Sequence, residues 1–197
     1  MREDIGRVKI MDLPWGDERT KKFITNVGLI TSNGPNGQDI MAAEWTHHVS
    51  YSPGLIMINI HTNDATYENI KKTKEFGVNL CAVGQNVASS IAGGSHGQDV
   101  DKVAVLKELG YEFYAGKKIK VLMLKGASLN IECNAVKKMQ LGDHAAVVGE
   151  VLDATSNDKQ PLAYHDGKYW KLGEQIAKPQ QEVLDKIKQL VESHKKK

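Results

Sequence analysis

The chain has 197 residues, 41% hydrophobic and 25% charged, with 18 Gly, 5 Pro, 2 Cys and a formal net charge of +2. That composition excludes a disordered chain, a collagen and a disulfide-stapled mini-protein, and the length allows one sizeable core. The near-zero balance also argues against a dedicated nucleic-acid binder, whose usual footprint is a strong basic excess.

In chain order, Phe23–Ser32 is rich in β-branched and apolar residues and stops at the turn cluster Asn33-Gly34-Pro35-Asn36-Gly37, so it predicts a strand. Leu55–His61 is a second apolar run and turns polar at Thr62-Asn63-Asp64. A helix is predicted over Thr66–Lys74, followed by a strand over Phe76–Val83. Asn86–Ala92 predicts a short helix, and Asp99–Leu109 another, capped by Asp99 and stopped by Gly110. Strands are predicted at Ile119–Leu124, Ser128–Val136, Ala145–Leu152 and Lys168–Leu172. Beyond them Pro179 sits at a plausible first helical position, and Val183, Leu184, Ile187, Leu190 and Val191 fall on one helical face. Many short strands with few helices favour an antiparallel barrel over a doubly wound sheet.

Charge divides this chain unevenly. Six Lys against three carboxylates give residues 178–197 a net +3 and leave residues 1–177 at −1. The reading is one domain over 1–177 with an amphipathic basic helix over 178–197. No run reaches the roughly 18 apolar residues of a membrane span, and Met1-Arg2-Glu3-Asp4 does not open a signal peptide. Cys81 and Cys133 lie in no metal or redox spacing; as small core residues they suit a reducing cytoplasm.

Gly93-Gly94-Ser95-His96-Gly97 matches G-x-S-x-G, but a nucleophile elbow needs a strand entering the turn, and the preceding segment reads as helix. A glycine-rich connection is preferred to a serine hydrolase. The adjacent pair His47-His48 would point to opposite faces of a strand, so no chelate is expected and no metal. Neither common phosphate loop is present. The strand ending at His61-Thr62-Asn63 and feeding a helix at Thr66 still suits an anion, with a plain N-cap as the other reading.

An ordered set of short motifs then carries a likeness. It runs through Thr31-Ser32, Ala42-Ala43-Glu44-Trp45-Thr46, Val49-Ser50 with Pro53, Thr66, Glu75-Phe76-Gly77-Val78-Asn79-Leu80 and Asp101-Lys102. It continues through Leu129-Asn130-Ile131-Glu132-Cys133, Gly142-Asp143-His144, Val148-Gly149-Glu150-Val151, Pro161-Leu162, Tyr164, Gly167, Tyr169 and Leu172-Gly173. Over about residues 20–173 the chain resembles the flavin reductase-like domain family, flavoredoxins and archaeal flavin or ferric reductases in particular. The resemblance implies a mainly β fold with a few helices: an antiparallel, Greek-key-like FMN-binding split β-barrel, here with a C-terminal amphipathic helix. It also implies a homodimer with FMN near the interface.

Site residues follow from the same resemblance. Ala43, Glu44, Trp45, Thr46, Val49 and Ser50 match the stretch along the flavin, the backbone at Trp45 and Thr46 bonding the isoalloxazine ring. Thr31 and Ser32 match positions near the ring and ribityl chain. His61, Thr62 and Thr66 match the phosphate loop; Ser95, Asp101 and Lys102 match a loop closing over the cofactor. His144 matches a histidine at the flavin face where nicotinamide would stack. On physical grounds Trp45 could wall a flat slot or be core or interface, and His144 could orient an amide or simply bond water at a strand end. Many relatives carry an Arg in the phosphate loop where Asn63-Asp64 stands here, so phosphate charge falls to Lys102, Lys71, Lys72 or helix N–H groups.

The resulting expectation is an FMN-dependent oxidoreductase. It takes hydride from NAD(P)H and passes electrons to free flavin, a ferric chelate, a small redox protein or a partner oxygenase. The main alternative is an FMN-binding electron carrier or sensor without a nicotinamide site; a binding module served by the basic tail is a further one. No nucleic acid or membrane partner is expected.

Overall fold

The computed structural model describes residues 11–196. After a 3-10 turn at Thr20–Lys22 come β1 (Ile24–Asn26), β2 (Gly28–Gly34), β3 (Gly37–Ala42), β4 (Thr46–Ser50) and β5 (Leu55–His61). Next are α1 (Ala65–Thr73), β6 (Glu75–Leu80), α2 (Asn86–Gly94), α3 (Lys102–Glu108), β7 (Phe113–Ala115) and β8 (Leu122–Leu124). The chain continues through β9 (Leu129–Leu141), β10 (His144–Ser156), β11 (Ala163–His165), β12 (Lys168–Trp170) and α4 (Gln181–Ser193).

Seven strands form one sheet in the order β3-β2-β6-β9-β10-β5-β4. Strands β1, β11 and β12 form a small sheet, and β7 pairs with β8. Every ladder is antiparallel. The large sheet curls until its two edges approach. A Cβ on Gly28 of β2 would lie 2.7 Å from the Thr46 hydroxyl of β4, so only glycine lets the strands come this near. Asn26 donates its side-chain amide to the Thr46 carbonyl at 2.5 Å across the same gap. Residues 43–45 span the gap covalently, carrying the chain from one edge strand to the other. This is a split barrel, mostly β, with a C-terminal helix.

Alternation on β5 turns Ile56, Ile58 and Ile60 inward. They pack with Phe76, Val78, Ile131, Cys133, Ala145, Val147 and with Tyr67 and Ile70 of α1. β2 is buried on both faces. Ile30 joins that core, while Leu29 joins a second one with Ile40, Ala88, Ala92, Val103 and Leu106, built by α2 and α3.

Several boundaries differ from the sequence reading. Phe23–Ser32 is two strands, because the Val27 carbonyl turns aside to accept from Cys81 N–H and β1 pairs with β11 instead. The predicted strand at Ile119 begins only at Leu122. Upstream, the amides of Lys117, Lys118 and Ile119 donate to Glu132 and that of Lys120 donates to Glu75, so carboxylates replace a ladder. The α3 cap is Asp101, which accepts from Ala104 N–H at 2.9 Å, not Asp99. Pro179 precedes the α4 N-cap, Gln180, so it is not the first helical residue. Periodicity marks no strand at β3, β4, β7 or β11. None of the α4 residues is buried, and Val183, Ile187, Leu190 and Val191 remain about half exposed. Among the described residues no helix is long and apolar enough to cross a membrane.

Candidate functional site

The barrel topology brings three predicted residues to one place. His61 ends β5, His144 begins β10, and the two are paired in the ladder. Their rings are 5.6 Å apart and nearly perpendicular. Trp45, in the corner before β4, lies 5.0 Å from the His144 ring. It is fixed there by its carbonyl, which accepts from Asn59 N–H of β5 at 3.0 Å. The indole is 43% exposed, so a broad aromatic face remains open to solvent. His144 Nδ1 lies 2.7 Å from the Asp143 carboxylate, and that bond holds Asp143 below the usual carboxylate range. Asp143 thereby fixes the ring so that Nε2 is the nitrogen left for a ligand.

The corner also offers donors. Among the described residues, no acceptor takes the amide N–H of Glu44 or Trp45. Two free amides beside a flat aromatic face suit a planar heterocycle rimmed by carbonyl oxygens, so a flavin ring fits the groups present. Glu44 is half-buried, and burial raises its carboxyl above the ordinary value. The flanking residues serve the wall itself. Ala43 is buried and donates its amide to Gly28 O, and the Thr46 hydroxyl turns inward to Ala43 O at 2.8 Å. Val49 is exposed and Ser50 half-buried beside an irregularity in the β4–β5 ladder.

Other predicted positions are placed differently. Thr31 and Ser32 are fully buried, their hydroxyls accepting from Asn79 and Asn69 at 3.2 and 3.1 Å. They face the interior and not a surface ligand: Ser32 lies under Asn69 of α1, and Thr31 on the other face lies against Met123 of β8. Thr66 is also fully buried, and its hydroxyl donates to Asp39 at 2.5 Å. Lys102 is not a free cation: its ammonium sits 3.2 Å from Asp39 with both side chains 3% exposed. Asp101 spends its carboxylate on the α3 cap.

The two loops assigned to phosphate and closure do meet. Gln98 donates to the Asn63 carbonyl at 2.7 Å, and the Gly97 backbone lies against Asp39 and Ala65 where a Cβ would collide. Thr62 lies half-buried on the first loop, and Ser95 caps the C-terminal end of α2 on the second. His61 Nδ1 accepts from Asn63 N–H at 3.2 Å. On the other flank of the second loop is a polar cleft of about 440 Å³ lined by Asn36, Gln38, Asp99, Asp101 and Lys107 among others.

Periodicity did not single out Asp39, Asn69 or Asn79. Asn69 clamps the β2–β3 turn to α1 through Gly37 O and Asn36 N–H. Asn79 bonds the Leu29 carbonyl, Leu124 N–H and Asn130. Asn79, a polar residue inside an apolar stretch, carries a signal that flags a buried hydrogen-bonding role but not a partner. Ser95 follows a helix and not a strand, which removes the nucleophile elbow. Both cysteines are buried free thiols pushed up to about 12 by burial, unlike reactive ones.

The flavin reductase like domain matches residues 20–173. An uncharacterised protein of Archaeoglobus fulgidus is 33% identical over 140 residues, 71% of this chain and 75% of its own. An NADH-dependent flavin reductase of a Rhodococcus species is 26% identical over 152 residues, 75% of this chain and 80% of its own. The crystal structure of flavoredoxin from Methanosarcina acetivorans superposes with a TM-score of 0.73 at 22% identity, covering 89% of this chain and 96% of that one.

Proposed function

Because this chain belongs to the flavin reductase-like domain family, we propose that it is an NAD(P)H-dependent flavin oxidoreductase with FMN as its flavin. The observation that carries the reading is the corner at Trp45. It combines an open indole face, two unclaimed amide donors and the Asp143-oriented His144. A bound flavin would supply the redox chemistry, taking up a hydride and releasing electrons to an acceptor.

The chain's own residues bind and orient. The Glu44 and Trp45 amides donate toward the ring oxygens, Trp45 walls the slot, and His144 steers the carboxamide of an incoming nicotinamide. The start of α1 supplies backbone N–H groups for the phosphate, while Lys71 and Lys72 stand in its last turn, away from that end. Lys102 is left out of that role by its pairing with Asp39. Thr31, Ser32 and Thr66 support the site from beneath.

We read residues 1–177 as one unit acting as a homodimer, with the exposed Val49, Tyr51, Met139 and Leu141 as apolar surface for a second copy. The amphipathic helix is its appendage, available to the dimer or to an acidic acceptor. Two buried free thiols agree with a cytoplasmic setting.

The test is direct. Purified protein is titrated with FMN and FAD, then mixed anaerobically with NADH or NADPH. Bound FMN should lose its blue absorption band within a turnover time. A band that persists with both nucleotides leaves an electron carrier and overturns the reductase; no uptake of either flavin overturns the flavin site.

A further inference from the structure

We propose that Asp39 is a positioning residue for the phosphate end of the flavin site. The inference rests on the functional reading above, which puts the phosphate at the start of α1, a segment met by the loop at 95–101. Asp39 lies on β3, 2% exposed, and touches neither the Trp45 corner nor the surface. Its carboxylate nevertheless ties three separate segments together. Oδ2 accepts from the Thr66 hydroxyl in the first turn of α1 at 2.5 Å. Oδ1 faces the Lys102 ammonium at the start of α3 at 3.2 Å, though it receives no well-aligned hydrogen bond. Lys102 donates in turn to the Ala92 carbonyl near the end of α2 at 3.4 Å. Gly97, midway along the second loop, has its backbone seated against the same carboxylate.

These contacts make the two loops one unit. With Thr66 anchored below, the α1 start cannot rotate without breaking a buried bond. With Lys102 anchored and Gly97 in contact, the second loop is held beside Asn63, which Gln98 then binds directly. A buried ion pair roughly breaks even for stability, because desolvation offsets the attraction. Its distinctive effect here is to set the register of the segments that present backbone N–H groups to a phosphate. The pairing also cancels the Lys102 charge, so phosphate recognition depends on where those amides point and not on a buried cation.

The experiment compares FMN with riboflavin, which lacks the phosphate, on full-length wild type, Asp39→Asn and Thr66→Val. The dissociation constant for FMN should rise about tenfold in Asp39→Asn and about threefold in Thr66→Val, while that for riboflavin changes less than about twofold. Parallel weakening of both ligands would make Asp39 merely structural and overturn the proposal, as would unchanged FMN binding in folded variants. Should Asp39→Asn fail to fold, Thr66→Val keeps the side-chain volume, removes one tie, and decides alone. Wild type that binds no FMN overturns the functional reading as well. Wild type that binds FMN equally with its variants overturns this inference only.

Discussion

Replacing Lys102 with Met keeps the side-chain length and removes the charge. The Asp39 carboxylate is then buried at 2% exposure with a single hydrogen bond from Thr66 in place of an ammonium at 3.2 Å. Breaking a buried pair in this way costs about 3–5 kcal/mol, most of it the penalty of an uncompensated charge. For a chain of this size each kcal/mol moves the midpoint by about 2–4 °C, so Lys102→Met should melt roughly 6–20 °C below wild type. Asp39→Asn should fall in the same range, because it leaves the ammonium unpaired. The double variant Asp39→Asn/Lys102→Met removes both charges and should recover most of the loss, with a coupling of at least about 2 kcal/mol in a double-mutant cycle. Thermal and urea unfolding of the four proteins at equal concentration gives the cycle. Single variants within about 3 °C of wild type, or losses that simply add, would refute the claim that this pair is desolvated and mutually dependent.

Three other outcomes are expected. His144→Ala should slow flavin reduction by NADH about tenfold to a hundredfold while leaving flavin affinity nearly unchanged, since the imidazole orients the nicotinamide and not the flavin; stopped-flow reduction beside a flavin titration separates the two. Burial raises the Glu44 carboxyl in the folded state. Its favourable contribution is therefore complete below the unfolded value and lost as pH rises through the folded one. Glu44→Gln should thus match wild type in thermal stability at about pH 4 and exceed it at about pH 7, and a gap independent of pH would reject burial as the cause. Cys81 and Cys133, with thiols pushed up to about 12, should resist iodoacetamide at about pH 8 in the native protein and react fully in denaturant, as mass spectrometry would record.

The sequence was most informative where one face of an element is apolar. Leu55–His61 was legible to the residue, because alternating Ile side chains mark a half-buried strand. Strand β4 was not, since Thr46, His47 and His48 carry no such alternation and the strand is held by edge pairing with β5. The Ala43–Trp45 corner, His61 and His144 came from the ordered likeness, and the fold brings Trp45, His61 and His144 into one cluster. Thr66 and Lys102 show the limit. Their residue types suit phosphate, yet Asp39, 27 positions from Thr66, draws the hydroxyl inward. No local pattern reports a partner at that separation. Asn69 and Asn79 are hidden for the same reason: their partners Ser32 and Leu29 lie 37 and 50 positions away along the chain.

The small sheet carries a consequence for how the barrel assembles. Strand β1 pairs with β11, and the His165 ring nitrogen lies 3.2 Å from the Phe23 carbonyl, 142 positions away along the chain. Closing a loop of that length carries a large entropic cost and brings little reward, since the three strands are only partly buried. The seven-stranded sheet, whose β9–β10 hairpin is local, can form without it. The β1–β11 seam is therefore expected to form after the large sheet and to open before it. Native-state amide exchange should be fastest in that seam and slowest in β6, β9 and β10.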